Sequence, residues 1–185
     1  MDNLRQQIGD CSRCRLAKQR NKIVFGEGNP VARLVFAGEG PGRDEDRSGR
    51  PFVGRAGQLL DRIIAAMGFG REEIYICNVV KCRPPDNRTP QDDEMRTCGL
   101  FLTKQLEIMR PQFIVALGAT AAKYLIGTDR PMGKLRGHFF EHPSGARIMP
   151  TYHPAYLLRN PAAKKLVWDD VQKVMAKLAR PVEEV

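Results

Sequence analysis

Residues 34–42 read Leu34-Val35-Phe36-Ala37-Gly38-Glu39-Gly40-Pro41-Gly42, a short apolar run followed directly by a glycine-rich turn. A run of this kind predicts a strand that is buried on both faces, and the turn marks its carboxyl end. Two further runs, at 74–80 and 113–117, have the same character. Amphipathic stretches separate them. This alternation predicts an α/β domain in which helices flank a mostly parallel sheet.

The stretches between and after the strands predict helices and one hairpin. Leu59, Leu60, Ile63, Ile64 and Met67 recur at helical spacing. A second helix is predicted from Gln91 to Met109, with Thr89 as its N-cap. Arg136 to Met149 is predicted as a hairpin. A last helix is predicted from about Ala162 to Ala179, with an apolar face of Leu166, Val167, Val171, Val174 and Leu178. We expect residues 1–185 to form one domain, with residues 180–185 as a tail.

The charge of the chain indicates a polyanionic partner. Thirty Lys and Arg residues against 21 Asp and Glu give a net charge of +9, and nucleic acid is the first such partner to consider. No apolar run approaches the roughly 20 residues that span a bilayer, and the N-terminal stretch lacks the apolar centre of a signal peptide. We therefore expect a cytoplasmic protein with no membrane partner.

Four of the five cysteines form a candidate metal site. They are Cys11, Cys14, Cys82 and Cys98. A Cys-x2-Cys pair brings two sulfurs to one point, and clustered cysteines in a cytoplasmic protein are more often metal ligands than disulfides. The spacing fits an all-cysteine zinc site or a [4Fe–4S] cluster. Basic residues that would offset an anionic cluster flank the cysteines: Arg13, Arg15, Lys81 and Arg83. The fifth, Cys77, lies in a predicted strand and is expected to be a small buried hydrophobe.

The glycine-rich turn after the first strand is a candidate ligand site. Gly38, Gly40 and Gly42 allow backbone N–H groups to approach a ligand closely, and Glu39 and Glu45 add carboxylates. Pro41 and the acidic run argue against pyrophosphate binding. A plain tight turn explains the glycines equally well.

Three further side chains are expected near the same edge of the sheet, where ligands bind to parallel sheets. Phe52 lies in a Gly/Pro-rich loop, as a core anchor or as a platform for a flat ring. Asn78 lies in an apolar strand, where an unpartnered amide costs roughly 1–3 kcal/mol. Its donor and acceptor match the edge of a pyrimidine that carries one N–H beside a carbonyl; hydrogen bonds to the backbone are the alternative explanation. His153 ends the last predicted strand.

Taken together, four motifs strongly resemble the family 4 uracil-DNA glycosylases. They are Gly38-Glu39-Gly40-Pro41-Gly42, Gly49-Arg50-Pro51-Phe52-Val53-Gly54, Asn78-Val79-Val80-Lys81-Cys82-Arg83-Pro84-Pro85 and His153-Pro154-Ala155-Tyr156-Leu157-Leu158. The match covers nearly the whole chain in order and includes the four cysteines. The resemblance implies a [4Fe–4S] cluster on those cysteines and the uracil-DNA glycosylase fold, a three-layer α/β/α arrangement.

The resemblance also implies roles for the site residues. Phe52 would stack on an extruded uracil, Asn78 would read its polar edge, and His153 would donate to its O2 as the N-glycosidic bond breaks. The Gly38–Gly42 turn would contact the base. The carboxylates of Glu39 and Glu45 are both candidates for holding the attacking water. The DNA would be contacted by Tyr156, Leu157, Leu158 and Arg159.

The implied reaction is hydrolysis of flipped-out deoxyuridine in single- and double-stranded DNA, the first step of base excision repair of deaminated cytosine. No lysine is placed as an evident Schiff-base nucleophile, so we expect a monofunctional glycosylase. We expect a monomer whose partner is uracil-containing DNA; replication or repair partners are not identifiable. A nonenzymatic metal-stapled nucleic-acid binder, an iron–sulfur electron carrier and a glycosylase for another deaminated base remain open alternatives.

Overall fold

The fold is organised around a sheet of six strands within residues 1–178, the part of the chain described by a computed structural model. Its strands are β1 (Glu27–Gly28), β2 (Leu34–Gly38), β3 (Tyr75–Asn78), β4 (Phe113–Leu117), β5 (Phe140–Glu141) and β6 (Arg147–Thr151). The order across the sheet is β1-β3-β2-β4-β6-β5. The four central strands are parallel, and the two-residue strands β1 and β5 pair antiparallel at the edges. The predicted mostly parallel sheet is confirmed.

Helices cover both faces of this sheet. They are α1 (Asp2–Ile8), α2 (Arg43–Ser48), α3 (Arg55–Ala66), α4 (Asp92–Met109), α5 (Ala119–Ile126), α6 (Met132–Leu135), α7 (Pro154–Arg159) and α8 (Lys164–Leu178). Short 3-10 turns occur at Arg15–Lys18, Pro85–Asn87 and Pro161–Ala163. Among residues 1–178 no helix is long and apolar enough to cross a membrane.

Alternate residues of the central strands feed two apolar cores on opposite faces of the sheet. Val35 and Ile114 pack in a core to which α1 and α4 contribute, whereas Phe36 and Val115 pack in a core built with α3 and α8. Every residue of β2 and β4 is buried, as expected for strands covered on both sides. The three-layer α/β/α architecture is therefore confirmed.

Two predicted helix features are wrong. Helix α4 begins at Asp92 with Gln91 as N-cap rather than Thr89, because the Glu94 carboxylate accepts from the backbone N of Gln91 at 2.8 Å and closes a capping box there. Leu166, predicted on the buried face of α8, is 38% exposed. The buried stripe of that helix runs through Val167, Val171, Val174 and Leu178.

The structure tests the predicted hairpin but not the prediction for the C-terminal residues. The hairpin predicted between Arg136 and Met149 is confirmed by the antiparallel pair β5–β6. The predicted tail at 180–185, and Ala179 at the end of the last helix, lie outside the described residues.

Candidate active site and cysteine cavity

A cavity of about 660 Å³ opens at the carboxyl ends of the central strands. The predicted site residues that line it are Glu39, Gly40, Gly42, Glu45, Phe52, Asn78, His153, Tyr156 and Arg159. Residues from β3 and from the segments after β2, β3 and β6 thus converge on one pocket, because parallel strands end at the same edge of the sheet. A second cavity of about 750 Å³ lies at the opposite edge, near Leu34 and Ile74, and no predicted site residue lines it.

Asn78 is the side chain that makes this pocket the candidate binding site. It is 1% exposed, and its Oδ1 is the one buried side-chain N or O atom without a hydrogen-bond partner in the described part of the chain. Leaving a buried polar group unpaired costs roughly 1–3 kcal/mol, so such an atom calls for an explanation. Because Asn78 lines the cavity, a ligand with an N–H group at this point would supply the missing partner.

Phe52 is both a buried side chain and a wall of the pocket. Its ring centre lies 5.6 Å from that of His153, with 31° between the ring planes. Gly38 makes room for this arrangement, since a Cβ at Gly38 would lie 2.5 Å from both Phe52 Cζ and Asn78 Oδ1. Gly38 does not itself line the cavity. The two readings of Phe52 that the sequence left open are therefore compatible.

His153 is held as a neutral hydrogen-bond donor. It is the N-cap of α7, where its Nδ1 accepts from the backbone N of Ala155 at 3.1 Å. A ring nitrogen that accepts carries no proton, which leaves the proton of the neutral imidazole on Nε2. Burial, together with the positive charge of Arg159, lowers the pKa of His153 to about 4, and the charge of Glu45 opposes this. The imidazole is neutral near pH 7.

The depressed pKa of His153 makes stability depend on pH. The pKa is about 4 in the folded chain and about 6.5 for a free imidazole. The unfolded state therefore binds more protons between these values, and the free energy of unfolding falls as pH is lowered through this window. We expect the Tm to fall more steeply from pH 7 to pH 5 in the wild type than in His153→Gln. Parallel Tm curves for the two proteins would contradict this assignment.

The two predicted carboxylates have different surroundings. Both oxygens of Glu45 are occupied by backbone groups: Oε2 accepts from Gly42 N at 3.1 Å, and Oε1 accepts from Val53 N and Gly54 N at 2.8 and 2.9 Å. Glu39 accepts from the hydroxyl of Thr120, and burial raises the pKa of the Glu39 carboxyl. Glu39 is thus the carboxylate with an oxygen left for a ligand or water.

The four residues of helix α7 that were predicted to contact DNA differ in their exposure. Tyr156 and Leu158 are 38% and 37% exposed, and Tyr156 and Arg159 line the cavity. Leu157 differs from these residues in burial, and its contact with DNA stays a prediction. Leu157 is fully buried in the core that α3 and α8 share, because the inner face of this short helix packs against α3.

Sequence reasoning missed several residues of the pocket. Thr120, at the start of α5, follows the strand end Leu117–Gly118, and Asn87 and Arg88 come from the loop after Cys82. The strand end before Thr120 was a usable signal, since Glu39 and His153 also follow strand ends. Helix α2 was also missed, because its acidic first turn reads as part of the glycine-rich turn.

The four predicted metal ligands line one small cavity of about 10 Å³. Cys11 and Cys14 come from the N-terminal segment, Cys82 follows β3, and Cys98 lies on α4. Cys77 is buried elsewhere, as expected. Within residues 1–178 no three His, Cys, Asp or Glu side chains are grouped to hold a single metal ion. Each cysteine of a cubane cluster binds a different iron, so its four sulfurs stand wider apart than the ligands of one ion.

The surroundings of the cysteines suit an anionic centre. Cys98 Sγ accepts from Lys81 N at 3.1 Å, and Arg13 and Arg20 donate to Cys11 Sγ and Cys82 Sγ at 3.2 and 3.7 Å. Burial raises the pKa of the Cys82 and Cys98 thiols to about 12 and 11. Metal ligation would replace those protons. These residues therefore fit a thiolate-bound cluster.

Three of the four flanking cations predicted to offset the cluster have other side-chain partners. Arg15 pairs with Asp93, and Arg83 donates to Asn87 at 2.8 Å. The Lys81 ammonium donates to Asn78 O and Gln105 Oε1 at 2.8 and 2.6 Å. Arg20, which the sequence reasoning did not single out, takes a place beside Cys82.

Comparison with known proteins agrees with this geometry. The model of the uracil DNA glycosylase superfamily matches residues 25–172. The type-4 uracil-DNA glycosylase of Thermotoga maritima is 47% identical over 94% of this chain and 92% of its own. Those of Saccharolobus solfataricus and Sulfurisphaera tokodaii are 43% and 38% identical, over 97% and 94% of this chain and 88% and 83% of theirs. The chain therefore belongs to the uracil-DNA glycosylase superfamily and, within it, to the type-4 uracil-DNA glycosylases. The resemblance of the motifs is confirmed.

Proposed function

We propose that the chain removes uracil from single- and double-stranded DNA by hydrolysing the N-glycosidic bond of a flipped-out deoxyuridine. This would initiate base excision repair of deaminated cytosine. The observation that carries the proposal is the unpartnered Oδ1 of Asn78, a residue that lines the same cavity as Phe52 and His153. We propose that the enzyme acts as a monomer.

Recognition of the base follows from Asn78. Its Oδ1 would accept from the N3–H of uracil, while its Nδ2 would donate to the neighbouring carbonyl. Cytosine presents an acceptor and an amino group at these positions, so the same amide would face mismatched partners. The ring of Phe52 would stack on the base and fix its plane.

His153 would assist bond cleavage. As the N-glycosidic bond breaks, negative charge develops on the uracil ring and its O2. The Nε2–H of the neutral imidazole would donate to that oxygen, an interaction that strengthens as the charge grows and so lowers the barrier. Because burial keeps the imidazole neutral, this donor would persist through the physiological pH range.

Glu39 would position the water that attacks the sugar. Glu39 lines the cavity and has one oxygen that accepts from no protein group in the described structure, whereas the oxygens of Glu45 already accept from three backbone groups. A sugar with oxocarbenium character is electrophilic enough for a water oriented in this way. Among the described residues, no lysine lines the cavity, which supports hydrolysis without a Schiff-base intermediate.

The exposed residues of α7 would contact the DNA beside the flipped base. Tyr156 and Leu158 offer apolar surface next to the cavity, and Arg159 offers a charge for a phosphate. Extrusion costs least at mismatches and in single strands, so uracil in U·G pairs and in single-stranded DNA should be released readily.

We further propose that Cys11, Cys14, Cys82 and Cys98 hold a [4Fe–4S] cluster. The shared cavity, the N–H donors to sulfur and the adjacent arginines support it. Bound there, the cluster would act as a structural cross-link between the N-terminal segment, the loop after Asn78 and α4.

Removing one ligand tests the cluster. We expect Cys98→Ala to lose the visible absorption and iron of the purified protein and to lower its Tm by about 10 °C or more, since several kcal/mol of cross-linking are lost. Cys77→Ala is the matched control, because Cys77 is buried but lies outside the cavity, and it should keep its iron. A colourless wild type with one zinc per chain would contradict the cluster.

Release of uracil tests the function. Anaerobically purified protein would be incubated, without added metal, with matched oligonucleotides that contain one uracil or one thymine, and then with alkali. We expect strand scission only for uracil and only after alkali, the pattern of a monofunctional glycosylase. No release from single- or double-stranded uracil DNA by protein that retains its cluster would favour a nonenzymatic binder.

A further inference from the structure

We propose that Arg71 is a positioning residue for Phe52: its guanidinium holds the loop backbone that aims the Phe52 ring into the pocket. The inference rests on the proposed function, in which this ring stacks on uracil. Arg71 does not line the cavity, so it would act only through Phe52.

The backbone of Phe52 is in a conformation that needs support. Its φ is +51°, in the left-handed region that bulky side chains rarely adopt. Such a residue persists only where the surrounding structure holds it, and these positions cluster at functional sites. The ring of Phe52 reaches His153 from this conformation.

Arg71 binds the backbone of the loop that carries Phe52. Its Nη1 donates to the carbonyl oxygen of Phe52 at 3.3 Å, and its Nη2 donates to that of Pro51. The same guanidinium is fixed by two carboxylates, Asp61 at 2.6 Å and Glu27 at 3.0 Å. A planar group with several N–H donors can serve all these acceptors together, which a lysine ammonium cannot do in the same geometry.

Two other contacts complete the support. On the C-terminal side of Phe52, Glu45 Oε1 accepts from the backbone N of Val53 and of Gly54. On the α3 side, a Cβ at Gly57 would lie 1.9 Å from the carbonyl oxygen of Phe52, so the helix abuts the loop directly. The peptide groups on both sides of Phe52 are thus fixed, and Arg71 is the side chain that donates to the carbonyl oxygens of Pro51 and Phe52.

Glu27, one of the two carboxylates that bind Arg71, stays charged over a wide pH range. Hydrogen bonds from Arg50 and Arg71 lower the pKa of Glu27 to about 2, against the opposing effect of burial. Arg50 provides a matched comparison, because it donates to Glu27 at 2.7 and 2.8 Å but to neither loop carbonyl.

A double-mutant cycle on single-turnover uracil release tests the proposal. We expect Arg71→Met to slow release roughly 10- to 100-fold when Phe52 is present, because the stacking ring is misplaced. In the Phe52→Ala background the same change should cost less than about twofold. Arg50→Met should stay within about twofold of the wild type, although it also removes a partner of Glu27.

Two results would overturn the role of Arg71. One is an equal loss in both backgrounds, which would indicate a general effect on folding, and the other is no loss with Phe52 present. If Arg71→Met does not fold, Arg71→Lys replaces it in the cycle under the same criteria, since it keeps the charge beside Glu27 and Asp61. A wild type that releases uracil while the cycle shows no coupling would refute this inference and leave the proposed function intact.

Discussion

Replacing His153 with alanine should lower the rate of uracil release by about 10²- to 10³-fold, the usual effect of losing one donor to a developing oxyanion. The donor is the Nε2–H of a neutral imidazole whose Nδ1 is held by the backbone N of Ala155. Because the donated bond strengthens as the glycosidic bond breaks, the loss should fall mainly on kcat, with KM changed little. Single-turnover kinetics on a uracil oligonucleotide would measure it.

His142→Ala is the matched control for this experiment. His142 lies after β5 and shares a hydrogen bond with Ser144 at 2.8 Å, away from the cavity. Its removal should leave uracil release within about twofold of the wild type. If His153→Ala keeps wild-type kcat, or if both variants lose activity equally, the role given to His153 is wrong.

Replacing Asn78 with alanine should lower uracil release by about 100-fold or more while leaving the fold as stable as before, or more stable. The activity falls because the amide that reads the base is gone, and sites built to hydrogen-bond a substrate depend strongly on those bonds. The stability is kept because Oδ1 has no partner in the described structure, so the variant removes an unpaired buried polar atom. Kinetics and Tm should be measured on the same preparation.

The opposed changes in activity and Tm distinguish a binding residue from a structural one. Asn29→Ala is the control: Asn29 Oδ1 accepts from Val31 N at 3.0 Å on the far side of the molecule, so its loss should lower Tm slightly and leave the rate unchanged. A fall in Tm of Asn78→Ala in proportion to its loss of activity would contradict the recognition role.

The sequence predicted the buried strands and the polar residues at their carboxyl ends, because both depend on local patterns of hydrophobicity. The buried strand Leu34–Gly38 and the polar residue Asn78 at the next strand end were both readable from hydrophobicity. Because parallel strands end at one edge, these strand ends also predicted which side chains share a pocket.

The features that could not be predicted from the sequence are choices that the tertiary structure makes. In α7 the exposed Tyr156 and Leu158 flank the buried Leu157, and a six-residue helix is too short for its periodicity to show which face is inside. Arg71 was overlooked because its acceptors lie 10 to 44 residues away along the chain. Glu45 was read as a candidate catalyst, whereas the fold occupies both of its oxygens.

The carboxylate of Glu45 has a consequence for how the substrate enters. It joins the start of α2 to the loop at 53–54 by hydrogen bonds, so two walls of the pocket are linked directly. The proposed uracil pocket would then be formed before DNA binds, and little protein order would have to be gained on binding. The conformational change is then required mainly of the DNA. The rate at which the pocket captures uracil should depend on how readily each DNA sequence unstacks its uracil, and not on a closing motion of the loop at 53–54.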